Sequence, residues 1–268
     1  MLQQAIDLRE EGAALHAFLA GLDDADWARP TPFKGWTANA VMQHLHSGDW
    51  MASVSLEDPD RFARIAAARR AARERGEASA ELGEDAPEIR EGPALLEQWW
   101  RLLSRLCDLM EGEDPDRRVA WVGPDMGLRS FATARQMETW AHGQDIYDLL
   151  QAPREHFDRL ANICVLGCQT FGWTFRNRGL EPPAPMPCVR LTLPSGGPWK
   201  RGAESATDRV EGTALDFCRV VTQGRNIADV DLEVVGEPAR AWMAIAQCFA
   251  GPPNDPPAPG ARAWDRRS

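Results

Sequence analysis

Three side chains carry the first chemical signal in this 268-residue chain: Glu138 and His142, four apart in METWAHGQDIYDLL, and His44 in VMQHLHSGDW. On a helix, a spacing of four sets Glu138 and His142 on one face, one turn apart. One helix can offer two ligands to one ion in this way, although such pairs also arise by chance on helix surfaces. His44 strengthens the signal, because Val41, Met42 and Leu45 around it make an apolar setting in which an unpaired imidazole costs desolvation free energy. A core histidine bonded to a neighbour is the other reading of His44. If the two helices pack side by side, the three groups form a two-histidine, one-carboxylate set. Nitrogen and oxygen donors without thiolate favour Zn²⁺ among divalent ions, and three protein ligands leave a position open for water or substrate.

The other histidines are His16, His46 and His156. His46, two residues from His44, is turned about 200° away on a helix and should not share the site. Asp145 lies three residues after His142 and could orient an imidazole from outside the ligand set; a solvated helix acid is the competing reading. Tyr147, the only tyrosine, reads as core or pocket wall. Most of the eleven tryptophans fit helix stripes or loop anchors. Trp36 and Trp140 stand closest in sequence to the ligands and are the candidates to line a pocket. The six cysteines contain no CxxC pair. Cys164 and Cys168, one turn apart in NICVLGCQ, could hold a metal, but read as small buried side chains in a reducing compartment.

With 30 basic and 40 acidic residues, the chain has a formal charge of −10. This argues against a protein that wraps a phosphate backbone, which needs a basic face. It leaves room for a small anion held by a few arginines. Hydrophobic residues make up 44% and charged residues 26%, an ordinary globular composition. The first segment, MLQQAIDLREEGAALHAFLAGL, lacks the basic start and apolar block of a signal peptide. No apolar run reaches the roughly 18 residues that span a bilayer. The expected location is cytoplasmic.

The elements that must position these groups are mostly helical. Residues 3–21 carry Ala5, Leu8, Leu15 and Leu19 near helical spacing. Thr37 is placed to cap a second helix through AVMQHLHSGDWM. Residues 58–75 read as a helix, but RIAAARRAARERGEASAELGEDAP, residues 64–87, grows so polar that its later half should be the least ordered stretch. Pro93 fits a first turn, and Leu96, Trp99, Leu103, Leu106 and Met110 then form one stripe. A loop from Glu111 to Leu128 leads into the helix of ATARQMETWAHGQDIYDLL. The segment REHFDRLANICVLGCQTFGWTFRNRG reads as one further helix, stopped by Gly179 and the proline cluster EPPAPMP. That cluster predicts a domain boundary, with a helical domain over 1–180 and a small α+β domain over 181–268. In the second domain CVRLTLPSGG, PWKRG and VDLEVVG read as strands, and GTALDFCRVVTQ and EPARAWMAIAQCFAG as helices. The tail PPNDPPAPGARAWDRRS has too much proline to fold alone.

At the same residues a family resemblance enters. GWTANAVMQHL is similar to the GWT…HL segment of the DinB-like and mycothiol-dependent maleylpyruvate isomerase superfamily. METWAHGQDIYDLL resembles its second motif, a glutamate and a histidine four apart followed by Gly-x-Asp. The resemblance covers residues 1–180 and implies a DinB-like four-helix bundle. It also implies a metal held by His44, Glu138 and His142, and a small α+β C-terminal domain as in the isomerase branch. Members with catalysis use a metal-activated small thiol, mycothiol or glutathione, for isomerisation or S-transfer. A metal lowers the pKa of a bound thiol, so that a nucleophile exists at neutral pH. A carboxylated substrate would need a cation, and Arg225 in TQGRN resembles a GR feature of that branch; a solvated arginine is its plainer reading. The expected function is thus a metal- and thiol-dependent isomerase or transferase acting on a small molecule, with no nucleic acid or membrane partner. A homodimer is compatible with it. The alternatives are a metal-dependent hydrolase, with water at the open position and Asp145 as base, and a non-catalytic metal- or ligand-binding protein.

Overall fold

The computed structural model describes residues 2–76 and 88–262. The stretch expected to be least ordered falls mainly on residues 77–87, and the end of the tail on 263–268; both lie outside the described residues. The fold is α+β, with helices first and a small mixed sheet afterwards. Among the described residues no helix is long and apolar enough to cross a membrane.

The chain divides into two compact units, Met1–Gly143 and Gln144–Ser268. In the first, α1 (Gln3–Leu19) packs on α4 (Gly92–Glu111), and α2 (Ala38–Glu57) packs on both α4 and α3 (Pro59–Glu74). Thr37 caps α2 as its type predicts, its hydroxyl accepting from Ala40 N at 3.1 Å. Pro93 sits in the first turn of α4. All five residues of the α4 stripe are buried, each fully buried aliphatic side chain being worth about 1.5–3 kcal/mol. Gly12 lets α1 come close to α4, since a Cβ there would lie 2.2 Å from Leu103 Cδ2. The expected loop after α4 holds a short hairpin, β1 (Arg118–Val119) with β2 (Met126–Gly127). It is tied to α2 by Ser55 Oγ, which donates to Ala120 O at 2.6 Å, and by Arg117 Nη2, which donates to Leu56 O at 2.8 Å. Helix α5 (Leu128–Leu150) begins in this unit and ends in the next.

The second unit contains α6 (Leu160–Gln169) and α7 (Phe171–Arg176), where the sequence predicts one helix. The break falls at Thr170, whose hydroxyl bonds Leu166 O and Gly167 O at 2.9 and 3.0 Å and so competes for the helical carbonyls. Residues 153–159 also stay out of the helix; there Asp158 accepts from Ser195 N at 2.9 Å and from Ser195 Oγ at 2.6 Å. Gly179, at φ +70°, ends the segment as expected. The four-stranded sheet has the order β4 (Pro198–Arg201), β3 (Cys188–Thr192), β5 (Arg209–Thr213), β6 (Leu232–Val235), with β3 and β5 parallel and the other pairs antiparallel. Strand β5 is absent from the sequence reading, because RVEGT carries only one fully buried apolar residue, Val210. Helix α8 (Ala214–Val221) is capped by Thr213, and α9 (Glu237–Ile245) closes the unit. Among its described residues the tail adds no helix or strand, yet Asn254 N donates to Gln247 Oε1 at 3.0 Å and Gln223 Nε2 donates to Asn254 O at 2.7 Å.

The division inside α5 differs from the boundary predicted at residue 180. Its physical reason is packing: α6 lies against α8 and β4, and α7 against α9. The proline cluster is therefore a connection within the second unit.

Candidate metal centre

His44 stands in the second turn of α2, and Glu138 and His142 stand one turn apart on α5. Glu138 Oε2 lies 3.1 Å from His44 Nε2 and 3.4 Å from His142 Nε2. Among the described residues this is the one cluster of three or more His, Cys, Asp or Glu side chains able to hold a metal ion, with one donor atom from each and all three within 4.8 Å of one another. Ligand bonds of about 2.0–2.1 Å would put tetrahedral neighbours about 3.3–3.4 Å apart, so the two separations from Glu138 suit a single divalent ion. Burial pushes the Glu138 carboxyl up, but the bonds to His142 and His44 outweigh it and hold that carboxyl well below the usual carboxylate range.

The side chains of His44, Glu138 and His142 are 39%, 21% and 14% exposed, so the cluster is reached from the His44 side. His46, and not His44, is the histidine of α2 that loses its solvent. That residue is buried, points elsewhere, and has its pKa lowered by burial against the opposing charge of Asp49.

The loop before α2 supplies an aromatic wall. Trp36 stacks on His142 with ring centres 5.9 Å apart and planes 16° apart, and lies 5.4 Å from the His44 ring. Phe33 meets His142 edge-on at 5.0 Å and Trp36 at 5.1 Å. The loop is closed by Thr31 N donating to Trp36 O at 2.7 Å, by Trp36 N donating to Phe33 O at 2.9 Å, and by the Pro30–Thr37 bridge. Lys34 and Gly35 turn it through left-handed backbone at φ +53° and +69°. Phe33 is missing from the sequence reading; the turn-rich RPTPFKG next to Trp36 is the signal that could have found it.

Beneath the cluster, α2 and α5 are joined by a buried ion pair. Arg135 Nε donates to Asp49 Oδ1 at 2.8 Å, and Trp99 Nε1 donates to Asp49 Oδ2 at 2.8 Å. Gly48 makes room for the guanidinium, since a Cβ there would sit 2.6 Å from Arg135 Nη2.

The other predicted residues are placed differently. Trp140 is buried, 2% exposed, and at two residues from each α5 ligand it is turned about 200° from both. Asp145 is a buried acid whose Oδ1 lies 3.5 Å from Arg262 Nη2. Arg225 is 5% exposed and engages both oxygens of Asp148 at 2.8 Å, while also donating to Gly224 O. Its charge is matched within the second unit. The solvated alternatives for Asp145 and Arg225 do not hold, since burial and an ion partner account for each.

Comparison with known proteins gives three findings. The family described as the mycothiol maleylpyruvate isomerase N-terminal domain matches residues 8–147. Uncharacterized proteins from two strains of Mycobacterium tuberculosis are each 41% identical over 250 residues, covering 92% of this chain and 95% of theirs. A crystal structure of the mycothiol-dependent maleylpyruvate isomerase superposes with a TM-score of 0.50 at 14% identity, covering 81% of this chain and 87% of the other; that likeness concerns the fold.

Proposed function

The chain belongs to the family of the mycothiol maleylpyruvate isomerase N-terminal domain, and from that premise we propose that it is a metal-dependent enzyme using a small thiol for isomerisation or S-transfer on a small carboxylated substrate. The observation that carries the proposal is the convergence of one donor atom each from His44, Glu138 and His142 within 4.8 Å of one another. These residues would hold the ion, with Zn²⁺ favoured by the donor types. A divalent ion there supplies Lewis acidity, which lowers the pKa of a bound thiol. Trp36 and Phe33 fix the imidazole planes and keep water from one side of the cluster, while the partly exposed edge of His44 leaves the approach for thiol and substrate. Asp145 favours this reading over a hydrolase that uses it as base, because its carboxylate is buried beside Arg262.

The test is a titration of the Co²⁺-loaded protein with mycothiol, glutathione and simpler thiols, followed by absorption. A new thiolate-to-metal charge-transfer band is the expected result. No spectral response to any thiol would overturn the proposal.

A further inference from the structure

Resting on the reading of a small carboxylated substrate, we infer that Lys34 is the cation that receives the substrate's carboxylate at the rim of the metal centre. Arg225, which the sequence offers for this role, has both carboxylate oxygens of Asp148 as partners and is 5% exposed. An arginine so matched has no charge left for an incoming anion.

Lys34 presents the opposite situation. Its side chain is exposed, no carboxylate among the described residues lies within ion-pairing distance, and its recorded contact is with the Phe33 ring, 5.2 Å from Nζ to the ring centre. Two ring-length steps connect that ammonium to the centre, since the Phe33 ring lies 5.0 Å from the His142 ring. A molecule with one group at the open coordination position and a carboxylate a few bonds away matches that span.

The backbone supports the assignment independently. Lys34 sits at φ +53°, a left-handed conformation uncommon for a residue with a Cβ and easier for glycine or asparagine. The Thr31–Trp36 and Trp36–Phe33 hydrogen bonds hold it there. Strain of this kind gathers at ligand clamps, where the surrounding structure fixes it. Here it aims a long cationic side chain along the aromatic wall whose other end touches both imidazoles. The only other basic residue of the turn segment, Arg29, is paired with Asp26 at 2.6 Å.

The test compares ligands that differ in one charge. The full-length Co²⁺-loaded protein is titrated with succinate and with succinamate, following cobalt absorption and tryptophan fluorescence. An exposed cation–carboxylate pair predicts that succinate binds about fivefold tighter, beyond the statistical factor of its second carboxylate, and less so in high salt. In Lys34→Gln the preference should vanish, and Lys34→Arg should restore it. An unchanged preference in Lys34→Gln, or no measurable succinate binding to the wild-type protein, would overturn the inference. A parallel titration with 3-mercaptopropionate and 3-mercaptopropanamide separates the two proposals. If neither thiol binds, the thiol reading fails, while the succinate pair still decides the role of Lys34.

Discussion

Asp49 and Arg135 form a buried ion pair at 2.8 Å that ties α2 to α5, five residues beyond His44 on one helix and three before Glu138 on the other. The two side chains are 0% and 5% exposed, and Trp99 Nε1 satisfies the second carboxylate oxygen. The pair fixes the register that brings His44 Nε2 to within 3.1 Å of Glu138 Oε2. Asp49→Ala would leave a buried guanidinium without its counter-charge, a loss of about 3–5 kcal/mol. Urea unfolding should show it as a lower midpoint, and metal affinity should fall with it. A variant as stable as the wild type would refute the role given to the pair.

Gly48 tests the same junction without removing a charge. An added Cβ would lie 2.6 Å from Arg135 Nη2, and that guanidinium cannot swing away without leaving Asp49. Gly48→Ala should therefore destabilise the protein by about 1–3 kcal/mol, as overpacking does, although alanine ordinarily improves a helix by up to about 1 kcal/mol. The sign of the change in unfolding free energy decides the matter.

Metal binding should depend on each of the two histidine donors. His44→Ala and His142→Ala are each expected to abolish most bound Zn²⁺ while far-ultraviolet circular dichroism stays unchanged, because the side chains lie at a partly exposed site and not in the packed stripe. Trp36→Ala should keep the ligands but weaken the metal by about tenfold, the scale typical of residues that orient ligands; Trp36→Phe should recover most of it. Elemental analysis after dialysis checks all four variants, and full occupancy in both histidine variants would rule out the centre.

Much of this arrangement is legible before any coordinates. The spacing of four between Glu138 and His142, Thr37 as a cap and the Leu96–Met110 stripe are local signals, and the structure carries each of them. What escapes are relations fixed by distant or irregular chain. Phe33 reaches His142 only because Lys34 and Gly35 turn backwards, and a left-handed lysine leaves no periodic trace. Arg225 looks available until Asp148, 77 residues away, is brought to it. Thr170 divides a helix whose apolar pattern runs on through it. Helix spacing sets His46 apart from His44, but only packing shows that His46 is the buried one.

Acid should destabilise the protein through His156. In the unfolded chain this imidazole titrates near 6.5. In the fold, burial first, and then the charges of Arg154, Arg219 and Arg159, bring it down to about 3. Between those values the unfolded state binds the proton and the folded state does not, so stability is full above about pH 6.5 and is lost as the pH falls towards 3. The slope contributed by one such group approaches about 1.4 kcal/mol per pH unit. His156→Gln removes the proton acceptor, so its unfolding free energy should fall less steeply from pH 6.5 to pH 4.5 than that of the wild type. Equal slopes, or a folded-state NMR titration of His156 with a midpoint near 6.5, would show that the arginines and burial do not act on it as the geometry requires.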